Sequence, residues 1–209
     1  MMLGTAQILS YVAALGLAAA IPGPGMTALV ARSVSGGAIT GFTMLAGLIL
    51  GDLIYLSIAV FGLAVIAHSY TSVFTLINWA ASLYLCFLAW QFWRYKPQAI
   101  SIDQKATKQE LASAWLSGLT ITLGNPKTIA FYLAILPLVI SLDQVSMQIW
   151  GGMLVPLTLL VLLVVGSAFI LAALKIRRFL ASAKAQQVLF RTAGAIMLLA
   201  AFGMVAKTL

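Results

Sequence analysis

Polar positions along this chain gather into a few short islands. Between them lie apolar stretches long enough to cross a hydrocarbon core of about 30 Å, a distance that takes ~20 helical residues. Six such stretches occur: Ile8 to Arg32, Phe42 to Ile66, Val73 to Trp93, Ala114 to Ile140, Ile149 to Leu174 and Val188 to Val205. They lack the alternation of lumen-facing and lipid-facing residues that membrane strands carry, so helices are predicted and a barrel is not. The longest polar island, Arg94 to Ser113, has charges of both signs and no apolar period, and it reads as a solvated loop. The predicted fold is an all-α integral membrane protein, a single polytopic domain over residues 1–209. Residues 1–93 and 114–209 are its three-helix halves, with a cytoplasmic loop at 94–113 between them.

Composition agrees with this picture, since 63% of residues are apolar and only 8% are charged. A cleavage-like "LAAA" ends at Ala20, but the leader "MMLGTAQ" has no Lys or Arg and cleavage would discard half a span. A secretory signal peptide is therefore not expected.

Basic residues set the orientation, because Lys and Arg in short loops stay cytoplasmic. Arg32, Arg94, Lys96, Lys105, Lys108, Lys175, Arg177, Arg178, Lys184 and Arg191 fall on one side, Lys207 alone on the other, and Lys127 inside a span. Both termini are expected outside the cytoplasm, in a bacterial inner membrane. The net charge of +8 then reflects topology and contact with anionic lipid, and no nucleic-acid partner is expected. Trp90, Trp93, Tyr95 and Trp115 are expected as anchors at the cytoplasmic interface, with Trp79 and Trp150 toward the outer one.

One cysteine, Cys86, and one histidine, His68, leave no set for disulfide chemistry or a transition metal. No cofactor or metal is expected. No glycine-flanked serine with a matching base suggests a hydrolase, so an enzyme is the least expected class.

Polar residues and helix breakers inside the spans are costly in a bilayer and carry the functional reading. Asp52, in "GLILGDLIYLS", is the only acid within any span, and a mid-helix aspartate costs about 2.5–3.5 kcal/mol on insertion scales. One bland alternative is a protonated Asp52 that joins helices by a hydrogen bond. Gly47 and Gly51 form a small-residue face that lets another backbone approach, which turns Asp52 toward a helix contact. Such a face serves either internal packing or a homodimer. Tyr55, one turn on, is expected to line the same space. Lys127, in "TLGNPKTIAFYLAILP", lies at matching depth, so the two charges are expected to face one cavity and to neutralise each other.

Proline is unfavourable inside a helix but well tolerated in its first turn. A break at Gly124 makes Asn125 an N-cap and Pro126 the first residue of a half-helix. A break at Pro22-Gly23 does the same for Pro24, followed by Gly25 and Met26. Both breaks would present free N–H groups at membrane depth, tolerable around a wet or protein-lined cavity and suited to a carboxylate. Simple proline kinks are the alternative. The broken spans open the two halves about 102 residues apart, by the difference between Pro24 and Pro126. Glycine-bearing stretches follow, "LAGLILGD" and "IWGGMLVP". This layout predicts a three-plus-three inverted repeat with broken helices 1 and 4.

The chain resembles the lysine exporter and homoserine/threonine resistance (LysE/RhtB) family of bacterial amino-acid exporters over nearly its full length. The resemblance rests on "PGPGMTALVARSVSGGAITGFTMLAGLILGDLIY" and "NPKTIAFYLAILPLV". It implies export of amino acids in exchange for protons. The chemistry of the residues fits this, and it makes Asp52 and Lys127 the expected coupling pair and places Pro22, Gly23, Pro24, Gly25, Met26, Asp52, Tyr55, Asn125, Pro126 and Lys127 around the substrate. Gly25 stands where many members carry Asn or Asp. The chain reads Asn-Pro-Lys, with no acid in "TIAFYL", where relatives of the basic-amino-acid exporters read Asn-Pro-His. Neutral substrates such as threonine, homoserine or aliphatic amino acids are therefore favoured. Expected partners are the amino acid, protons and membrane lipids. The competing functions are a cation or metal exporter, for which one intramembrane carboxylate is too few, and a non-transporting scaffold, which leaves Asp52 and Lys127 without a role.

Overall fold

The computed structural model describes residues 4–66, 106–177 and 183–206, together with positions 79, 83, 86, 87, 89, 90, 93 and 94. Every regular element among the described residues is helical: α1 (Thr5–Ala20), α2 (Pro24–Ile66), α3 (Lys108–Leu123), α4 (Pro126–Ala130), α5 (Leu136–Val139), α6 (Met147–Ile149), α7 (Val155–Arg177) and α8 (Ala183–Ala206). Short π-helical turns at Phe131–Ile135 and Trp150–Leu154 join α4 to α5 and α6 to α7. Two stretches are long and apolar enough to cross a membrane, Pro24–Gly62 and Met147–Ile176. A third joins them if Lys108–Leu123 and Pro126–Val139, bent by 49° at their break, count as one crossing. Thr5–Ala20 is a shorter apolar helix. Most of the expected third span, as well as His68 and Tyr95, lies outside the described residues.

α2 is two helices joined at Gly37, whose φ of 81° and ψ of −170° are open to glycine and strained for other residues. The chain doubles back there. Residues eight apart in a continuous helix are separated by about 12 Å, yet a Cβ on Gly41 would press on the Ser33 hydroxyl and lie 3.3 Å from Ser33 Cβ. Segment 24–36 therefore carries the end of the expected first apolar stretch and 38–66 the whole of the second, and the connection between them is one glycine rather than an extended loop.

Glycines also fix the closest packing. A Cβ on Gly47 would fall on the Trp115 carbonyl and 2.9 Å from the Leu119 nitrogen; one on Gly118 would fall on the Met44 carbonyl and 2.9 Å from the Leu48 nitrogen. Gly51 lies against Thr122, where an added Cβ would stand 2.6 Å from that residue's Cβ. Backbone meets backbone along this seam, the usual route to tight helix association where lipid offers no hydrophobic drive. The small-residue face of α2 is thus used inside the chain. Contacts advance in step, Gly47 against Trp115 and Leu119 and Gly51 against Leu119 and Thr122, so segment 38–66 and α3 run parallel. α7 packs on the other side of α2, with Leu45 against Gly166 and Gly41 against Ile170, in antiparallel sense.

Two sequence expectations are corrected. Helix begins at Lys108, six residues before Ala114, because Thr107 and Glu110 form a capping box: Glu110 N–H donates to Thr107 Oγ1 (3.2 Å) and Thr107 N–H to Glu110 Oε2 (2.8 Å). The two glycine-bearing stretches are not equivalent either. Gly151 and Gly152 are exposed, with open space where side chains would stand. Trp79, Trp90, Trp93 and Trp115 are exposed, as membrane anchors are. Trp150 is half-buried, edge-on to Phe61 at 5.4 Å, with its indole N–H unpartnered.

Candidate functional site

The two helix breaks meet face to face. α1 ends at Ala20, the chain passes through Ile21, Pro22 and Gly23, and α2 starts at Pro24. The Gly23 carbonyl takes the first helical bond from Thr27 N–H (2.9 Å) and a second from the Thr27 hydroxyl (2.7 Å). Proline at the first helical position has no N–H to satisfy, and its fixed φ suits the helix. Gly23 has no side chain with which to cap the next N–H groups, those of Gly25 and Met26.

At the second break, α3 ends at Leu123 and Gly124 N–H donates to the Thr120 carbonyl (3.0 Å). Asn125 is the N-cap of α4: its Oδ1 accepts from Lys127 N–H (3.1 Å), with Pro126 as the first helical residue. Because Asn125 is buried at 5% exposure, alanine there is expected to cost about 1 kcal/mol of stability. Thermal unfolding of the purified protein measures this, with Asn125→Ser recovering most of the loss because serine also caps.

Opposed residues pair across the breaks. A Cβ on Gly25 would lie 3.9 Å from Asn125 Nδ2, and one on Gly23 would lie 3.4 Å from Lys127 Nζ. These are ordinary contact distances, so the two breaks lie side by side. Lys127 Nζ donates to the carbonyls of Ala18 (2.8 Å) and Ile21 (2.6 Å), which end α1. Sequence placed this cation at the N-terminus of its own helix, an unfavourable position; its side chain instead reaches the negative end of another helix and satisfies carbonyls the break leaves open.

A cavity of about 50 Å³ lies here. Its lining includes Gly25, Met26, Asp52, Asn125 and Lys127 from the predicted set. Pro22, Gly23, Pro24 and Pro126 do not line it but shape the breaks beside it. Tyr55 corrects expectation: it is buried outside the lining, and its hydroxyl donates to the Leu123 carbonyl at the end of α3. Asp52 and Lys127 share the cavity, yet no ion pair joins them among the described residues, because the α1 carbonyls hold the ammonium. Sequence reasoning missed Thr122 and Thr128, polar residues on either side of the second break, and the apolar wall of Leu15, Leu48, Phe131 and Leu162. The threonines carried a signal in their spacing around Asn125; the wall carried none beyond hydrophobicity.

The lining holds one acid and one base. A zwitterion could place its carboxylate toward Lys127 and the open N–H groups of α2, and its ammonium toward Asp52. A second cationic group on the ligand would meet only apolar or uncharged side chains.

The chain is similar to an uncharacterised membrane protein of Synechocystis sp., 31% identical over 144 residues that cover 69% of each chain. It is 27% identical to the threonine efflux protein of Escherichia coli K12 over 74% of its own length and 77% of that protein's. It is 26% identical to the leucine efflux protein of Klebsiella pneumoniae, over 63% and 62% of the two chains. No solved structure matches it. The sequence profile of the LysE type translocator family matches residues 17–208, and the chain belongs to that family.

Proposed function

We propose that this protein exports neutral amino acids across the bacterial inner membrane in exchange for protons. The observation that carries the reading is that Asp52 and Lys127, opposite charges, line one cavity where two helix breaks meet. Similarity to proteins named for threonine and leucine efflux supports the substrate class. The absence of a second acid in the lining supports neutral side chains.

The working arrangement is six spans in two inverted three-helix halves, with the termini outside. The parallel course of 38–66 and α3 supports it, because a chain that runs twice in one direction has to return between the two passes. About 50 Å³ is room for a few waters and falls well below the ~300 Å³ of small-molecule pockets, so loading requires the breaks to part. Lys127 supplies the latch. A substrate carboxylate competes with the Ala18 and Ile21 carbonyls for its ammonium, and taking it frees the end of α1 to move. Asp52 then holds either the substrate ammonium or a proton, and that exclusion couples the two fluxes in opposite directions.

Counterflow in proteoliposomes, with amino acids loaded one at a time under an imposed pH gradient, tests the proposal. Proton-dependent exchange of neutral amino acids is expected, and Lys127→Met should lower it by about 30-fold or more, the loss that follows when one partner of a hydrogen-bonded charge pair with the substrate is removed. Folded wild-type protein that exchanges no amino acid would overturn the reading.

A further inference from the structure

A buried line of hydroxyls leads away from Asp52 and has no part in substrate binding as described above. Thr158, on α7, donates its hydroxyl hydrogen to the Leu154 carbonyl (2.7 Å). Tyr11, on α1, is 2.6 Å from Thr158 Oγ1. A threonine hydroxyl has one hydrogen, so Tyr11 has to be the donor in that contact, and its own oxygen is left able only to accept. Tyr132 lies beside both Tyr11 and Asp52. Its hydroxyl is fully buried and interacts with both, but it meets neither in full hydrogen-bond geometry. Buried unpartnered hydroxyls are rare in folded proteins and call for an explanation.

Packing holds that hydroxyl in place. Tyr132 is in the π-helical turn Phe131–Ile135, a local widening often found at functional sites. Its ring stacks on Tyr55 (centroids 6.4 Å apart, planes at 15°) and meets Phe131 edge-on at 5.0 Å. The ring is fixed while the hydroxyl hydrogen can rotate.

We infer that Tyr132 is the positioning residue for Asp52, turning its single hydrogen toward the carboxylate when Asp52 is ionised and toward Tyr11 when Asp52 carries a proton. Both states are then complete. With Asp52 ionised, Tyr132 donates to the carboxylate while Tyr11 donates to Thr158. With Asp52 protonated, the acid donates to Tyr132, Tyr132 to Tyr11, Tyr11 to Thr158 and Thr158 to the Leu154 carbonyl. No proton leaves any tyrosine; only the direction of donation reverses. The line joins α2, the π turn, α1 and α7, so the protonation state of Asp52 is read as a hydrogen bond between helices of both halves. Among the described residues, the titratable and charged groups facing Asp52 are Tyr132, Tyr11, Tyr55 and Lys127. Tyr55 is committed to the Leu123 carbonyl and Lys127 to α1, which leaves Tyr132 with an undecided hydrogen.

The inference rests on the proton-exchange reading of Asp52, and its test needs no substrate. Infrared titration of the purified full-length protein would follow the protonated-carboxyl band, assigned to Asp52 by its loss in Asp52→Asn. Tyr132→Phe removes a charge-assisted bond to the ionised form, and the midpoint should move to higher pH by about one unit. Tyr11→Phe removes the acceptor that Tyr132 uses only when Asp52 is protonated, so the midpoint should move the opposite way. Loosened packing would not give opposite signs from two tyrosine-to-phenylalanine changes. Unmoved midpoints, or shifts of the same sign, would overturn the inference. If Tyr132→Phe does not fold, the Tyr11→Phe titration decides alone. Wild-type protein that exchanges no amino acid, with the band still shifting as stated, would refute the export reading and leave the hydroxyl line standing.

Discussion

Replacing Asp52 with asparagine is expected to leave a folded protein whose export no longer responds to a pH gradient. The amide keeps the shape of the carboxyl group, so packing against α3 through Gly51 and Thr122 is preserved. It neither gains nor loses a proton and cannot balance a substrate ammonium. Losing one partner of a hydrogen-bonded charge pair formed with a ligand costs about 2–5 kcal/mol, so gradient-driven accumulation in proteoliposomes should fall by about 30-fold or more. Stability should move much less, because removing a charge from a low-dielectric site also removes its desolvation cost. The checks are paired: accumulation with and without the gradient, and thermal unfolding of the same preparation. Gradient-driven export that survives in Asp52→Asn would place the coupling group elsewhere.

The largest structural effect is expected at Gly118. Valine there would drive its Cβ into the Met44 carbonyl and against the Leu48 nitrogen, and no rotamer relieves a clash at Cβ. Backbone has to separate along the α2–α3 seam that also positions Asp52. The penalty should reach or exceed the ~3 kcal/mol upper end of overpacking costs, read as a large drop in melting temperature and in the monodisperse fraction after purification. Gly152→Ala is the control. It meets open space in a helical turn, where alanine is favoured over glycine by up to ~1 kcal/mol, so it should be neutral or mildly stabilising. Equal damage from both changes would show that the seam is not the packing constraint described.

Both predictions depend on features with different visibility in the amino-acid sequence. The breaks at residues 21–23 and 124–125 were legible because proline and glycine act on the chain locally: Asn125 followed by Pro126 specifies a cap and a first turn wherever it occurs. Asp52 was legible because an acid in an apolar run has few tolerable surroundings. The partners of Lys127 were not. Ala18 and Ile21 receive its ammonium through backbone carbonyls, which every residue has and no side chain advertises. Tyr11 and Thr158 are 147 positions apart, and aromatic or hydroxyl residues in membrane helices are too ordinary to signal such a contact. The partner of Tyr55 was hidden for the same reason. Helical spacing put it on the face of Asp52, but spacing does not reveal that a carbonyl freed at Leu123 would claim its hydroxyl.

The bond from Lys127 to the end of α1 also bears on the order in which the protein is made. Ala18 and Ile21 lie 109 and 106 positions before the residue that completes them. At a synthesis rate of about 5–20 residues per second, the first hydrophobic segment exists for roughly 5–20 s with those carbonyls uncapped by the lysine. Until then water, lipid headgroups or the insertion machinery has to serve them. The end of α1 is therefore completed only after the break before α4 has been made, so the cavity between the two breaks closes late in biogenesis.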